Sequence, residues 1–210
     1  DGESHLEVPG VWGTATTIGG FDGYVLALSI GPDGLLSTGD TSGEIGLWDL
    51  TKISTGDSLS VGSIIHGGGV TTVAFSPDGS LLASGSWDNT TKIWDTSKIG
   101  TGDDPLIATI DEGNGWVDSV AFSPDGLTLA TSQSDTVYIW NTSAILGGFS
   151  QPDSKIEEFS IQSWVNDIEF SHNGALLATG TENGLVIWDA TEFGTGVIFP
   201  VENLTDGDPV

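Results

Sequence analysis

The chain has 210 residues, 31 of them Gly and 8 Trp, and no long helical periodicity, which points to an all-β class and one domain with a sizeable core. Its 30 acidic residues against 4 lysines give a formal net charge of −26. That charge repels phosphate backbones and anionic bilayers, and argues against nucleic acid and membrane surfaces as partners. No cysteine is present, so disulfides and thiolate chemistry are excluded, and no run of about 18 apolar residues offers a membrane span.

Residues 1–9 read as a terminal arm, and 12–18 as a strand that leads through the Gly19-Gly20-Phe21-Asp22-Gly23 loop into a unit of three strands over 24–49. The same unit is clearest at 70–95, VTTVAFSPDGSLLASGSWDNTTKIWD. There Val70, Val73 and Phe75 alternate at period two, Ser76-Pro77-Asp78-Gly79 is a type I turn, and 81–86 and 91–94 follow as strands. It recurs as WVDSVAFSPDGLTLATSQSDTVYIWN at 116–141 and WVNDIEFSHNGALLATGTENGLVIWD at 164–189. Outer strands are expected at 59–65, 106–110 and 156–161, and one more at 196–201, before a tail at 203–210.

Two independent markers give one period. Trp48, Trp94, Trp140 and Trp188 are 46, 46 and 48 residues apart, and Gly34, Gly79, Gly126 and Gly174 are 45, 47 and 48 apart. Four strands at a period in the forties are the signature of a propeller. Through its Trp-Asp pairs and SPDG turns the chain resembles the WD40-repeat family over residues 10–202. The resemblance implies a β-propeller of four four-stranded blades, with repeats at about 12–50, 58–96, 104–143 and 154–191, each outer strand completing the sheet of the preceding blade. The strand at 196–201 is then surplus to a ring of four. The expectation is that these residues do not close a solitary ring, and that they belong to a larger ring or meet another copy, since open edges invite association.

The loops after each third strand share a second pattern, DLTKISTGD at 49–57 and DTSKIGTGD at 95–103, with DATEFGTG at 189–196 in frame and NTSAILGGFSQPD at 141–153 drifting from it. They are read either as functional loops or as architectural spacers.

The family resemblance also implies a buried tetrad of His, Ser or Thr, Asp and Trp. Only the second repeat matches in full, as His66, Ser84, Asp88 and Trp94; the others carry Phe21, Gly113 and Ile161 at the His position. A buried indole N–H needs an acceptor, so His66 reads as a structural hydrogen-bonding residue. His5 and His172 have no partner at metal-ligand spacing, and nothing singles out a Ser-His-Asp set. Calcium is weighed at Asp103-Asp104, Asp206-Gly207-Asp208 and 40–44, none with EF-hand spacing; turn-forming Asp is the better account. No catalytic residue, metal or cofactor is assigned.

A partner surface is expected at the channel mouth. Tyr24, Trp116 and Trp164 occupy equivalent positions before the innermost strands, and Trp87 lies in a turn on the same face. Asp22, Asp88, Asp111, Glu112, Asp135 and Glu182 flank them, a combination suited to a protein or peptide with basic and apolar side chains. The competing reading is that the aromatics cap the blade cores.

The net charge itself has three readings: solvation, a high-salt habitat, and attraction of cationic partners or divalent cations. The chain begins at Asp1 and holds no Met, which points to a processed protein or part of a longer one; export is the compartment reading it leans toward. The sequons at Asn89, Asn141 and Asn203 are read as chance. The functional expectation is a non-enzymatic protein-interaction scaffold with an acidic surface. The alternative is a structural subunit of a cell-surface ring or fibre, self-associating through open blade edges.

Overall fold

The computed structural model describes residues 16–113, 115–148, 151–196 and 200–201. Its strands fall into four antiparallel sheets, each paired in chain order. The first holds β1 (Val25–Ile30), β2 (Leu35–Asp40), β3 (Glu44–Asp49) and β4 (Ser60–Ile65). The second holds β5 (Val70–Phe75), β6 (Leu81–Ser86), β7 (Thr90–Asp95) and β8 (Leu106–Asp111). The third holds β9 (Val117–Phe122), β10 (Thr128–Gln133), β11 (Thr136–Asn141) and β12 (Lys155–Ser160), and the fourth β13 (Val165–Phe170), β14 (Leu176–Thr181) and β15 (Gly184–Asp189). Each sequence repeat therefore lends its first strand to the sheet before it, as a propeller requires.

The ends differ from expectation. Of the strand expected at 12–18, residues 12–15 lie outside the described residues and Thr16, Thr17 and Ile18 carry no strand. The segment expected as surplus instead sits against the fourth sheet: Pro200 bridges Trp188, and the Val201 amide donates to the Ile187 carbonyl at 2.7 Å. The free edge of β15 presents unpaired backbone groups, and these bonds satisfy some of them; residues 197–199 lie outside the described residues.

Local chemistry explains the repeat. In each SPDG-type turn the closing glycine is left-handed, with φ between 72° and 75° at Gly34, Gly79, Gly126 and Gly174, a conformation that disfavours a Cβ. Asp78 Oδ1 accepts from the Ser76 hydroxyl at 2.7 Å and the Ser80 amide at 3.0 Å, and Asn173 does the same for Ser171 and Ala175 in the SHNG variant. These Asx and Ser contacts replace the backbone bonds that the turn interrupts. After the third strands, Asp49, Asp95 and Asp189 cap short 3₁₀ turns through the amides of Thr51, Ser97 and Thr191. Asn141 caps α1 (Thr142–Leu146) through the Ala144 amide at 2.9 Å. The repeated loop is thus a capped helical turn.

The blades are joined by three apolar seams. Ala27, Ile45 and Leu47 of the first sheet meet Val70, Val73, Phe75, Leu82 and Trp94 of the second. Ala83 and Ile93 meet Val117, Val120, Leu129 and Trp140 across the next seam, and Ala121, Ala130, Val137 and Ile139 meet Val165, Ile168, Phe170, Leu177 and Trp188 across the last. At about 1.5–3 kcal/mol for each fully buried Val, Leu, Ile or Phe, the seams outweigh any single hydrogen bond between blades. Innermost strands pack in succession, β1 on β5, β5 on β9 and β9 on β13, with no comparable packing of β13 on β1 among the described residues. All four line a central concavity of about 350 Å³. The described residues form an open arc of blades around that axis.

Candidate functional site

Every blade tryptophan donates its indole N–H to a hydroxyl on the second strand of its own sheet. The bonds are Trp48 to Thr38 at 3.0 Å, Trp94 to Ser84 at 2.8 Å, Trp140 to Thr131 at 2.9 Å and Trp188 to Thr179 at 3.0 Å. The group beyond that hydroxyl differs from blade to blade. In the second, Ser84 Oγ lies 2.8 Å from His66 Nδ1, and His66 Nε2 lies 3.0 Å from Thr90 Oγ1. The Thr90 hydroxyl in turn donates to Asp88 Oδ1 at 2.7 Å. One proton assignment satisfies the whole relay: Ser84 donates to Nδ1, and the imidazole donates from Nε2. Thr90, absent from the expected tetrad, mediates the contact with the carboxylate, since Asp88 Oδ1 is 3.4 Å from Nε2. Burial pushes His66 down to about 4, against the opposing pull of Asp88, so the imidazole is neutral.

In the third blade the structure places Glu112, not Gly113, at the His position. The His66 amide donates to the Gly43 carbonyl, and the Glu112 amide to the Asn89 carbonyl, the same step one blade on. Glu112 is 8% exposed, and its Oε1 accepts from Thr91 at 2.8 Å. Its Oε2 is buried with no hydrogen-bond partner among the described residues, and the neighbouring Thr131 hydroxyl receives the Trp140 indole. Glu112 is thus removed from the expected acidic surface: its backbone register turns the side chain into the seam while its neighbour Asp111 faces water. Burial pushes the Glu112 carboxyl up to about 7.

The remaining rim residues are accessible. Tyr24 is 83% exposed, Trp116 53%, and Trp87 and Trp164 39% each. Trp87 and Trp116 meet across a seam at 5.8 Å between ring centroids. Trp87 also covers Gly69, where an added Cβ would lie 2.3 Å from its ring. The second blade thereby gains from a neighbouring turn the aromatic that the other repeats carry at their own innermost strands. Beside Trp164, the Asp118 carboxylate accepts from the Ser134 amide at 3.1 Å; burial nevertheless raises the Asp118 carboxyl. Sequence alone does not single out Asp118, because its place one residue into β9 coincides with a bulge at the head of that strand. Asp22, Asp111, Asp135 and Glu182 are exposed, and Asp88 is half-buried.

Three of the four lysines lie away from this rim, and Lys92 reaches the rim loop before β5. Lys52 pairs with Asp49 at 3.4 Å and Lys98 with Asp95 at 3.7 Å, Lys155 with Glu158, and Lys92 donates to the His66 carbonyl. Among the oxygen-rich turns, Asp40 is 1% exposed and accepts from the amides of Gly23, Ser42 and Glu44. Burial raises its carboxyl, but those bonds together with the Ser42 hydroxyl outweigh burial and hold it below its ordinary value. Its lone pairs serve the turn. Residues 206–208 lie outside the described residues, and among the described residues no cluster of His, Cys, Asp and Glu has a metal-site arrangement. Nor is any described helix long and apolar enough to cross a membrane.

Comparison with protein families finds WD domain, G-beta repeat at residues 59–95, 105–141 and 154–189. The chain belongs to the WD40 family. A chain in the crystal structure of a mitotic checkpoint complex superimposes with a TM-score of 0.72, covering 90% of this chain at 23% identity. The WD40 arc spans 54% of that chain's length, and at that identity the likeness is one of fold. Comparison with curated proteins finds no similar sequence.

Proposed function

We propose that this WD40 chain is a non-enzymatic docking scaffold whose working surface is the channel mouth, and that its partner is a protein or peptide segment with basic and apolar side chains. The observation that carries the reading is the coincidence on one rim of four exposed aromatics, Tyr24, Trp87, Trp116 and Trp164, with exposed carboxylates at Asp22, Asp111, Asp135 and Glu182. Large aromatics give contact area at low entropic cost, and exposed acidic groups draw a cationic partner and set its orientation. Lys52 and Lys98 are engaged by Asp49 and Asp95, at the far ends of their strands, and not by the rim carboxylates. Membership of a family of repeat propellers whose strands present loops around an axis supports the same surface.

The test is a binding titration against a library of basic peptides. Trp116→Ala and Trp164→Ala should each weaken the selected peptide more than tenfold (about 1.4 kcal/mol or more) with unchanged circular dichroism. Equal loss of binding and of folded structure would mean that the tryptophans serve the blades alone, and the reading would fail.

A further inference from the structure

The three seams are copies of one joint. At its head a valine of the innermost strand, Val70, Val117 or Val165, is 0% exposed. On the sheet before it the facing position on the second strand is small: Gly39, Gly85 or Ser132, each paired in the same register. A Cβ added at Gly39 would lie 2.4 Å from Val70 Cγ1, and one at Gly85 would lie 2.5 Å from Val117 Cγ1. Valine is the knob and glycine the hole. Lower in the joint Val73, Val120 and Ile168 are 7%, 5% and 2% exposed. A hydroxyl from the preceding blade then receives an innermost amide: Thr72 receives Val120 at 3.3 Å, and Ser119 receives Ile168 at 3.2 Å.

Both halves of this joint recur, unfilled among the described residues, at the two ends of the arc. On β1 the knob positions are open: Val25 is 40% exposed, Leu28 67% and Ile30 64%. On the fourth sheet Gly180 holds the register of Gly39 and Gly85, yet among the described residues the nearest atom to an added Cβ is the Asp167 carbonyl oxygen at 3.8 Å. Ala178 pairs Ile187 as Ala130 pairs Ile139, and Leu185, at the Val137 position, is 65% exposed. Asp167 stands where Thr72 and Ser119 accept, and the corresponding donor is the Leu28 amide.

We propose that a second copy of this chain fills these positions: the β13–β15 sheet of one copy packs on the β1–β4 sheet of the other, and two arcs close into a ring of about eight blades, the upper part of the usual range. A second copy is the occupant because knob and hole are opposite ends of one chain, built to a joint the chain already makes three times. Two such head-to-tail contacts related by a two-fold axis close without leaving an end. The rim tryptophans take no part, so this joint and the docking reading stand or fall separately.

The test is the mass of the 210-residue chain by light scattering and sedimentation at moderate salt. The expected value is twice 21.7 kDa, reduced to 21.7 kDa by Leu28→Gln with Ile30→Gln at one end and, independently, by Gly180→Gln at the other, with unchanged circular dichroism. A wild-type monomer overturns the proposal, as does a dimer that survives both variants. A monomer whose melting temperature falls sharply with Leu28→Gln would show this face covered by the chain's own residues, and also overturns it. Open-ended polymers abolished by both variants would keep the joint and overturn its closure by two copies.

Discussion

At the scale of single residues, the four blades keep one bond and vary the next. The indole-to-hydroxyl contact is constant; it continues to an imidazole in the second blade, while the matching position one blade on holds a buried carboxyl bonded to Thr91. The two titrate in opposite senses. Glu112, raised to about 7 from 4.5, holds its proton more tightly folded than unfolded. Its contribution is fully present below the unfolded value and is lost as pH rises toward 7, on the order of 3 kcal/mol at most. His66, lowered to about 4 from 6.5, contributes stability above 6.5 that is lost as pH falls toward 4. The two slopes overlap and partly cancel in mildly acid solution. Glu112→Gln retains an acceptor and removes the charge, so urea unfolding at about pH 8 should show the variant more stable than the parent, and near pH 5 the difference should vanish. Equal stabilities at both pH values would place the Glu112 carboxylate in contact with water.

At the scale of strands and turns, the glycines divide by what lies opposite them. Gly85→Ala forces a methyl against Val117 and Thr72, whose nearest atoms would stand at 2.5 and 2.7 Å, and overpacking of that kind costs about 1–3 kcal/mol. A fall in urea midpoint with unchanged slope checks it; no change would mean that the second seam relaxes freely. Strand identity was legible because the tryptophans and turn glycines mark it every forty-odd residues, and because alternation shows directly which side chains face a seam. The site was legible only in part. Trp94, Ser84 and His66 meet as their residue types suggest. The role of Thr90 and the exchange of Gly113 for Glu112 were hidden, since period-two patterns do not reveal the bulges at Val70 and Trp94, where one extra residue shifts the register. Asp111 and Glu112 are adjacent acids, and only the backbone decides which one faces inward. The Trp87 ring over Gly69 is a contact between loops and has no periodic signal at all.

For the molecule as a whole, charge is the dominant long-range term. A net −26 on 210 residues repels itself, and with three of the four lysines bound to local carboxylates little of it is neutralised at a distance. Screening shortens to about 3 Å near 1 M salt, so added sodium chloride should raise the melting temperature and strengthen contact between copies, while weakening capture of a basic peptide at the rim. Opposite responses to one salt titration separate the surfaces; a common direction would show one of them to be misassigned. The strand exchange between neighbouring sheets carries a further consequence. Because every period of sequence spans two blades, duplicating any whole period inserts one complete blade regardless of where the copied stretch begins, and deleting one removes a blade without orphaning a strand. Growth or shrinkage of such a chain over evolutionary time needs no new kind of contact, only more or fewer copies of the one it has.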